Sequence, residues 1–394
     1  MIEILSVFGT RPEAIKMAPL LAELGRRSDV MSSRVCVTAQ HREMLDQVLE
    51  VFGIVPDIDL DIMTDNQSPG RVTGAVLESL DGVLTERPPD LVLVHGDTTT
   101  TMAASLAAFY HKIPVGHVEA GLRTGCRYYP FPEEMNRVVT DAVATLHFAP
   151  TARAAENLLA SGVSKKSITV TGNTVIDALL DVAGRSYDDE SGAPTGGRVV
   201  LVTAHRRENH GAPLENICHA LRDIADAFPD VHIVYPVHLN PNVQRVARHV
   251  LGDHERVLLL EPMSYVSIVR VMKESFLVVT DSGGLQEEAP SLGKPVLVLR
   301  NETERPEAVE AGTVRLVGTD RDRIVEHMTE LLTDDAAYAA MAGAVNPYGD
   351  GEASSRIADA IACEFELPGA RRPIEFHPEA FVRPDGLTRQ KAGG

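Results

Sequence analysis

Residues 2–27 read IEILSVFGTRPEAIKMAPLLAELGRR. The stretch opens with an apolar run over 3–8 that lacks the alternation of a half-exposed strand, so it reads as a strand covered on both faces. It then turns through Gly9-Thr10-Arg11-Pro12-Glu13 and continues as an amphipathic helix over 14–26. Pro12 suits the first helical position, and Thr10 or Arg11 suits the cap. A strand feeding a helix through a tight turn begins a right-handed parallel crossover. Arg11 and Lys16 fall beside the helix N-terminus, where an anion is favoured. An ordinary turn carrying surface charges would look the same.

Working outward, apolar runs at 34–38, 91–95, 115–118, 146–149 and 168–170 repeat the strand pattern, with helical periodicity at 43–52, 99–111 and 152–160. A Gly/Ser/Asp/Pro-rich stretch at 184–197 breaks the rhythm and reads as a linker. Strands then resume at 199–203, 232–236, 257–260, 277–280, 296–299 and 314–317. The expectation is an α/β protein of two doubly wound parallel-sheet domains, 1–183 and 198–351. A helix at about 352–368 is expected to pack back on the first domain, and 370–394 is expected to be a poorly ordered tail. Ligands of such sheets bind beyond the carboxyl ends of the strands. Two of them in series predict an active site in an interdomain cleft.

The totals agree with a globular chain of 394 residues, 44% hydrophobic and 24% charged. No run approaches the about 18 consecutive apolar residues of a membrane span. The N-terminus lacks the basic start and cleavage site of a signal peptide, so a cytoplasmic enzyme is expected. Cys36, Cys126, Cys218 and Cys363 are far apart and form no CxxC pair, which argues against a disulfide framework or a metal site. A formal charge of −19 disfavours nucleic-acid binding but not a small anion met by a few basic residues at turns.

Such residues occur. The run at 277–280 leads into Asp281-Ser282-Gly283-Gly284 and a helix. Ser282 suits its cap, and the two glycines admit a diphosphate to the backbone N–H groups. Glu288 lies a turn further on, suited to ribose hydroxyls, and Arg305 follows the next strand, suited to phosphates. Carboxylates follow strands in the first half: Asp97 in HGDTT and Glu119 in HVEAGLR, with Glu133 and Glu134 opening a helix in FPEEMNR. Asp97 equally suits a helix cap, and the Glu pair equally suits dipole partners. A strand-terminal Glu119 is harder to explain without a partner. Several acids together suit acid–base work. His205 ends the first strand of the second half beside Arg206 and Arg207, where an anion would be held, although a purely structural histidine fits too.

These residues, in this order, resemble the non-hydrolysing UDP-N-acetylglucosamine 2-epimerases of bacteria. The similarity rests on FGTRPEAIKMAPL (8–20), TAQHREML (38–45), HGDTTTTMAASLAAF (95–109), HVEAGLRTG (117–125), FPEEMNR (131–137), GNTVIDAL (172–179), HRREN (205–209), TDSGGLQEEAPSLGKPVL (280–297), ERPE (304–307) and NPYGDGEAS (346–354). The resemblance implies a GT-B-like pair of Rossmann-type domains, a homodimer and no cofactor. It implies reversible interconversion of UDP-GlcNAc and UDP-ManNAc by UDP elimination and re-addition through 2-acetamidoglucal, supplying ManNAc for cell-surface polysaccharide. It carries catalytic roles to Asp97, Glu119, Glu133 and His205. Substrate contacts fall on Arg11, Lys16, Arg123, Ser282, Gly283, Gly284, Glu288 and Arg305. A second UDP-GlcNAc acting as activator would meet Gln40, His41, Gln67, Arg206 and His238. Met263 and Ile268 fall where the family varies around uracil. Cys126-Arg127-Tyr128 and the tail after Pro368 match no family pattern. A 2-epimerase for a modified UDP-amino sugar, a hydrolysing epimerase and a GT-B glycosyltransferase are the competing readings, with a UDP-sugar sensor further off. A nicotinamide dehydrogenase is disfavoured because no GxGxxG follows the first strand.

Overall fold

In the computed structural model, strand β1 (Ile2–Phe8) runs straight into the helix Arg11–Arg26. Residues 1–38, 42–62, 64, 67–186, 194 and 196–378 are described, the side chains of 42–44 excepted. The chain forms two units, Met1–Ala178 with Tyr348–His377, and Leu179–Pro347.

The first unit is built on β1, β2 (Met31–Val37), β3 (Ile58–Asp59), β4 (Leu91–His95), β5 (Val115–Val118), β6 (Leu146–Ala149) and β7 (Ile168–Val170). They form a parallel sheet in the order β3-β2-β1-β4-β5-β6-β7. Alternate residues Leu5 and Val7 of β1 and Val92 and Val94 of β4 face Val72, Val76, Leu80 and Leu84 of the helix Pro69–Glu86. That helix shows the four-residue spacing of a single apolar stripe. The helix Thr99–Tyr110 meets the same core through Ala103, Ala104, Ala107 and Ala108, small residues that let it lie close. The helices Arg11–Arg26 and Ala353–Glu364 contact each other, joined by Arg27 Nη1 at 2.5 Å from Asp359 Oδ1. Asp177 accepts from the Ser354 N–H at 2.8 Å and the Ala353 N–H at 3.2 Å, and so caps a helix distant in sequence.

The second unit is built on β8 (Arg198–Thr203), β9 (Val231–Pro236), β10 (Val257–Leu260), β11 (Leu277–Thr280), β12 (Val296–Val298) and β13 (Val314–Leu316). The sheet is parallel, in the order β10-β9-β8-β11-β12-β13. Val200 and Val202, Ile233 and Tyr235, and Val279 pack with Ile217, Leu221 and Ile224 of the helix Ala212–Ala227. The fully buried Tyr235 places its hydroxyl on Ala204 O at 2.6 Å.

Three expectations change. β3 was not anticipated, because two residues carry no periodicity; it is held by pairing, Cys36 against Ile58. β2 begins at Met31, three residues before the apolar run, because Met31, Ser32 and Ser33 pair with Ile2, Glu3 and Ile4 of β1; Arg34 satisfies its charge on Glu3 at 2.5 Å and on Arg87 O at 2.8 Å. The poorly ordered tail expected from 370 is packed at its start. Phe376 is buried, its N–H donates to Val170 O at 2.8 Å, and the Arg356 guanidinium stands 5.6 Å from its ring. Residues 379–394 lie outside the described set, and the expected linker overlaps 187–193 and 195, which also lie outside it. Among the described residues no helix is long and apolar enough to cross a membrane.

In each sheet the strand order reverses once, at β1/β4 and at β8/β11. At such a switch point the neighbouring loops diverge and leave a crevice beyond the strand ends. The loops concerned carry Gly9–Glu13 and Gly96–Thr98 in the first unit, and Ala204–Arg206 and Asp281–Gly283 in the second.

Candidate active site

Glu119 follows β5 with φ +64, a left-handed conformation rare for a side chain other than glycine. Such a backbone costs on the order of 1 kcal/mol and persists where the surroundings impose it. Its carboxylate receives Lys16 Nζ in a short ion pair and the Asn173 amide at 2.8 Å. Three chain segments therefore converge on one acid: the first helix, the end of β5 and the loop after β7. Lys16 thus lies on a carboxylate.

Asp97 follows β4. Arg137 Nη2 lies 2.6 Å from its Oδ2, and the Asn136 amide donates to its main-chain oxygen at 2.9 Å. The side chain remains 29% exposed, open to a ligand. Glu133 opens the helix Glu133–Val143, and its Oε2 is buried without a hydrogen-bond partner among the described residues. The adjacent Glu134 is fully engaged. It accepts from the Thr124 and Gly125 N–H groups at 3.1 and 3.0 Å and pairs with Arg137 at 3.0 Å. The two glutamates thus differ in kind, one structural and one with capacity to spare.

Behind these loops lies a second layer. Glu13 accepts from the Gly9 and Thr10 N–H groups at 3.0 and 2.7 Å and from the Thr98 and Thr101 hydroxyls at 2.6 and 3.0 Å. One carboxylate therefore ties the turn after β1 to the turn after β4, and burial pushes it above the usual range against those hydrogen bonds. Gly9 is required there: a Cβ would stand 2.0 Å from Thr38 Oγ1. His117 Nε2 donates to Gly96 O at 2.7 Å and its Nδ1 lies 2.6 Å from Asp141 Oδ1. Burial alone would raise Asp141, but His117 and Arg123 hold it below the usual range. Arg123, expected at the substrate, is committed to Asp141 at 2.6 Å and to Leu122 O at 2.8 Å. Arg11 occupies the first turn of its helix.

In the second unit the fully buried Asp281 stitches two loops together. Its Oδ2 accepts from the His205 and Arg206 N–H groups, each at 2.8 Å, and from the Asn209 amide at 3.0 Å. Arg206 Nε returns a bond to Asp281 O at 2.9 Å. The His205 ring stacks on His238 at 5.2 Å, and burial lowers it despite Asp281 beside it. A Cβ on Gly283 would stand 3.9 Å from both Arg206 Nη2 and Arg305 Nη2, so two guanidinium groups flank bare backbone at the head of the helix Gly283–Glu288. That arrangement suits a diphosphate. Arg305 is oriented by a short ion pair to buried Glu287. Glu288 accepts from the Tyr265 hydroxyl at 3.1 Å. Ser282 occupies the cap position, yet its hydroxyl makes no cap bond; its N–H donates to Thr280 Oγ1 at 2.9 Å, leaving the helix head unblocked by a side chain.

Of the residues expected to bind an activator, Arg206 and His238 lie at His205, whereas Gln67 in the first unit donates to Ile62 O at 2.8 Å. Gln40 and His41 fall outside the described residues. Sequence reasoning missed Arg137, Asn173, Asp281 and His95 as site components. Asn173 and Asp281 each directly follow a strand or its turn, a signal that was available.

A family model described as UDP-N-acetylglucosamine 2-epimerase matches residues 23–362. The chain belongs to that family. The UDP-N-acetylglucosamine 2-epimerase of Escherichia coli K12 is 56% identical over 369 residues, covering 91% of this chain and 98% of its own. The Neisseria meningitidis UDP-GlcNAc 2-epimerase solved with UDP-GlcNAc has a TM-score of 0.83 at 49% identity, covering 92% of this chain and 100% of its own. The Staphylococcus aureus protein MnaA solved with UDP has a TM-score of 0.87 at 46% identity, covering 96% and 100%. The two parallel-sheet units are thus the GT-B-like fold of UDP-N-acetylglucosamine 2-epimerases, and the chain is an isomerase of that family.

Proposed function

We propose that this chain interconverts UDP-GlcNAc and UDP-ManNAc without an added cofactor, by eliminating UDP and adding it back. The observation that carries the reading is the acid pair of the first unit. Glu119 is strained into place against Lys16 and Asn173, and Asp97 is aimed by Arg137. A nucleotide transferase needs no such pair at C2.

The C2 proton of a ground-state sugar is hardly acidic, so removal and departure must be concerted or closely coupled. One acid takes the proton; the C2–H electron pair becomes the C1=C2 bond of 2-acetamidoglucal; the C1–O pair leaves on the β-phosphate of UDP. In return, a proton reaches the other face of C2 and the phosphate oxygen attacks C1. Asp97 and Glu119 handle the two C2 proton transfers, Glu133 orients or relays, and His205 assists the leaving diphosphate. Gly283, Gly284, Arg305 and Ser282 receive the diphosphate, Glu288 the ribose, and Arg11 the same anion. Lys16 keeps Glu119 in place, and Arg123 acts by bracing the His117–Gly96 turn through Asp141. A second UDP-GlcNAc at Arg206 and His238, a homodimer, a cytoplasmic location and ManNAc supply for polysaccharide complete the proposal.

Proton NMR of the purified chain with UDP-GlcNAc in deuterated water tests it. UDP-ManNAc carrying deuterium at C2 is expected. Free ManNAc would point to hydrolysis instead, and an unchanged spectrum in a UDP-binding protein would transfer the reading to a modified amino sugar.

A further inference from the structure

His95 is the last residue of β4, after the apolar and buried Leu91, Val92, Leu93 and Val94. It is 2% exposed, and neither ring nitrogen has a hydrogen-bond partner among the described residues. Leaving a buried donor unmet costs about 1–3 kcal/mol, which a fifth apolar residue in this strand would avoid. Its Nε2 lies 3.8 Å from Glu119 Oε2, the oxygen that also receives Lys16 and Asn173. The charged or titratable groups facing the ring are Glu119, Lys16 from the first helix and His117 from β5. Burial pushes the imidazole down to about 3; Glu119 opposes this, while Lys16 and His117 add to it. The ring is therefore neutral at any working pH, with one N–H to give.

We propose that His95 is a positioning residue for Glu119, closing from 3.8 Å to hydrogen-bond distance and donating from Nε2 to fix the carboxylate as the C2 proton is transferred. The inference rests on the acid role of Glu119 proposed above. A neutral donor supports the carboxylate without adding a second cation to the Lys16 pair, so it steadies the base without weakening it as a full charge would. It also explains why an ionisable side chain ends an otherwise apolar strand.

His95→Leu and His95→Gln in the full chain test this. The leucine variant is expected to lose about 100-fold in kcat while KM stays within about twofold. Its acidic limb in the pH profile should move up, because the carboxylate has lost a donor. Glutamine, whose amide nitrogen reaches the place of Nε2, should restore both. Glutamate 13C NMR, with Glu119 identified by difference against Glu119→Gln, reads the same carboxyl without substrate; its midpoint should rise by about half a unit or more in the leucine variant. Should that variant fail to fold, His95→Asn, whose amide stops short of the Nε2 position, takes its place. Unchanged kcat and an unmoved midpoint would overturn the proposal, as would a glutamine variant as impaired as leucine with no midpoint change. If the wild type does not epimerise UDP-GlcNAc, the proposed function falls, and the NMR midpoint still decides the role of His95.

Discussion

Arg137 Nη2 lies 2.6 Å from Asp97 Oδ2, across 40 residues of sequence. The other arm of the same guanidinium holds Glu134 at 3.0 Å, which in turn gathers the Thr124–Gly125 turn. One fork therefore sets both the direction of the Asp97 carboxylate and the shape of the loop leading into the helix of Arg137. Arg137→Met keeps the length and removes the fork. Loss of about 100-fold in kcat is expected, with about 2 kcal/mol of stability lost because buried Glu134 is left short of a donor. Steady-state kinetics and urea unfolding measure the two together; a stable variant with full kcat would contradict the assignment.

Asp97→Asn preserves shape and removes the charge. Turnover should fall at least about 1,000-fold, whereas UDP affinity should stay within about twofold, since most of the groups proposed to hold UDP belong to the second unit. Calorimetric titration with UDP separates the two effects, and near-normal turnover would remove Asp97 from the acid pair.

Arg305 flanks Gly283 and is oriented by Glu287. Arg305→Lys keeps the charge but loses the planar fork. UDP should bind about 10-fold more weakly, about 1.4 kcal/mol. An unchanged dissociation constant would place the diphosphate elsewhere.

Burial pushes the Asp177 carboxyl up to about 6, against about 3.9 in an unfolded chain. A carboxyl raised on folding holds its proton more tightly in the fold. Its contribution is therefore full below about pH 4 and is lost as pH rises through about 6, by up to about 3 kcal/mol. Asp177→Asn cannot titrate, so the stability of the wild type measured against that of the variant should fall between pH 4 and 6. Urea unfolding at the two ends of that window measures it, and a constant gap would refute the raised value.

The strands were legible because parallel strands buried on both faces show unbroken apolar runs, as β4 and β11 do. β3 was not, since its two residues gain their structure only from β2. Polar residues just after strands drew attention to Asp97, Glu119, His205 and Ser282, because ligands of parallel sheets bind beyond the carboxyl ends of the strands. Arg137, Asn173 and His95 stayed hidden for a different reason. Their meaning lies in partners 40 residues away for Arg137 and 54 for Asn173, and periodicity says nothing of such pairings. Arg123, which the resemblance places at the substrate, pairs with Asp141, a partnership 18 residues apart that periodicity does not show.

The first unit is discontinuous: residues 348–377 return to it after the second unit has been completed. A ribosome making this chain has therefore produced the whole of the second sheet before Ser354 can meet Asp177 or Phe376 can meet Val170. Leu179–Pro347 is the unit able to close first during synthesis, although it is encoded second. The unit carrying Glu119 and Asp97 waits, held incomplete until the last stretch emerges. A message truncated after codon 347 would yield a finished nucleotide-side unit joined to an acid-bearing one with the Asp177 cap vacant and Val170 uncovered. The acid-bearing unit is thereby completed only by residues made after the whole of the other sheet.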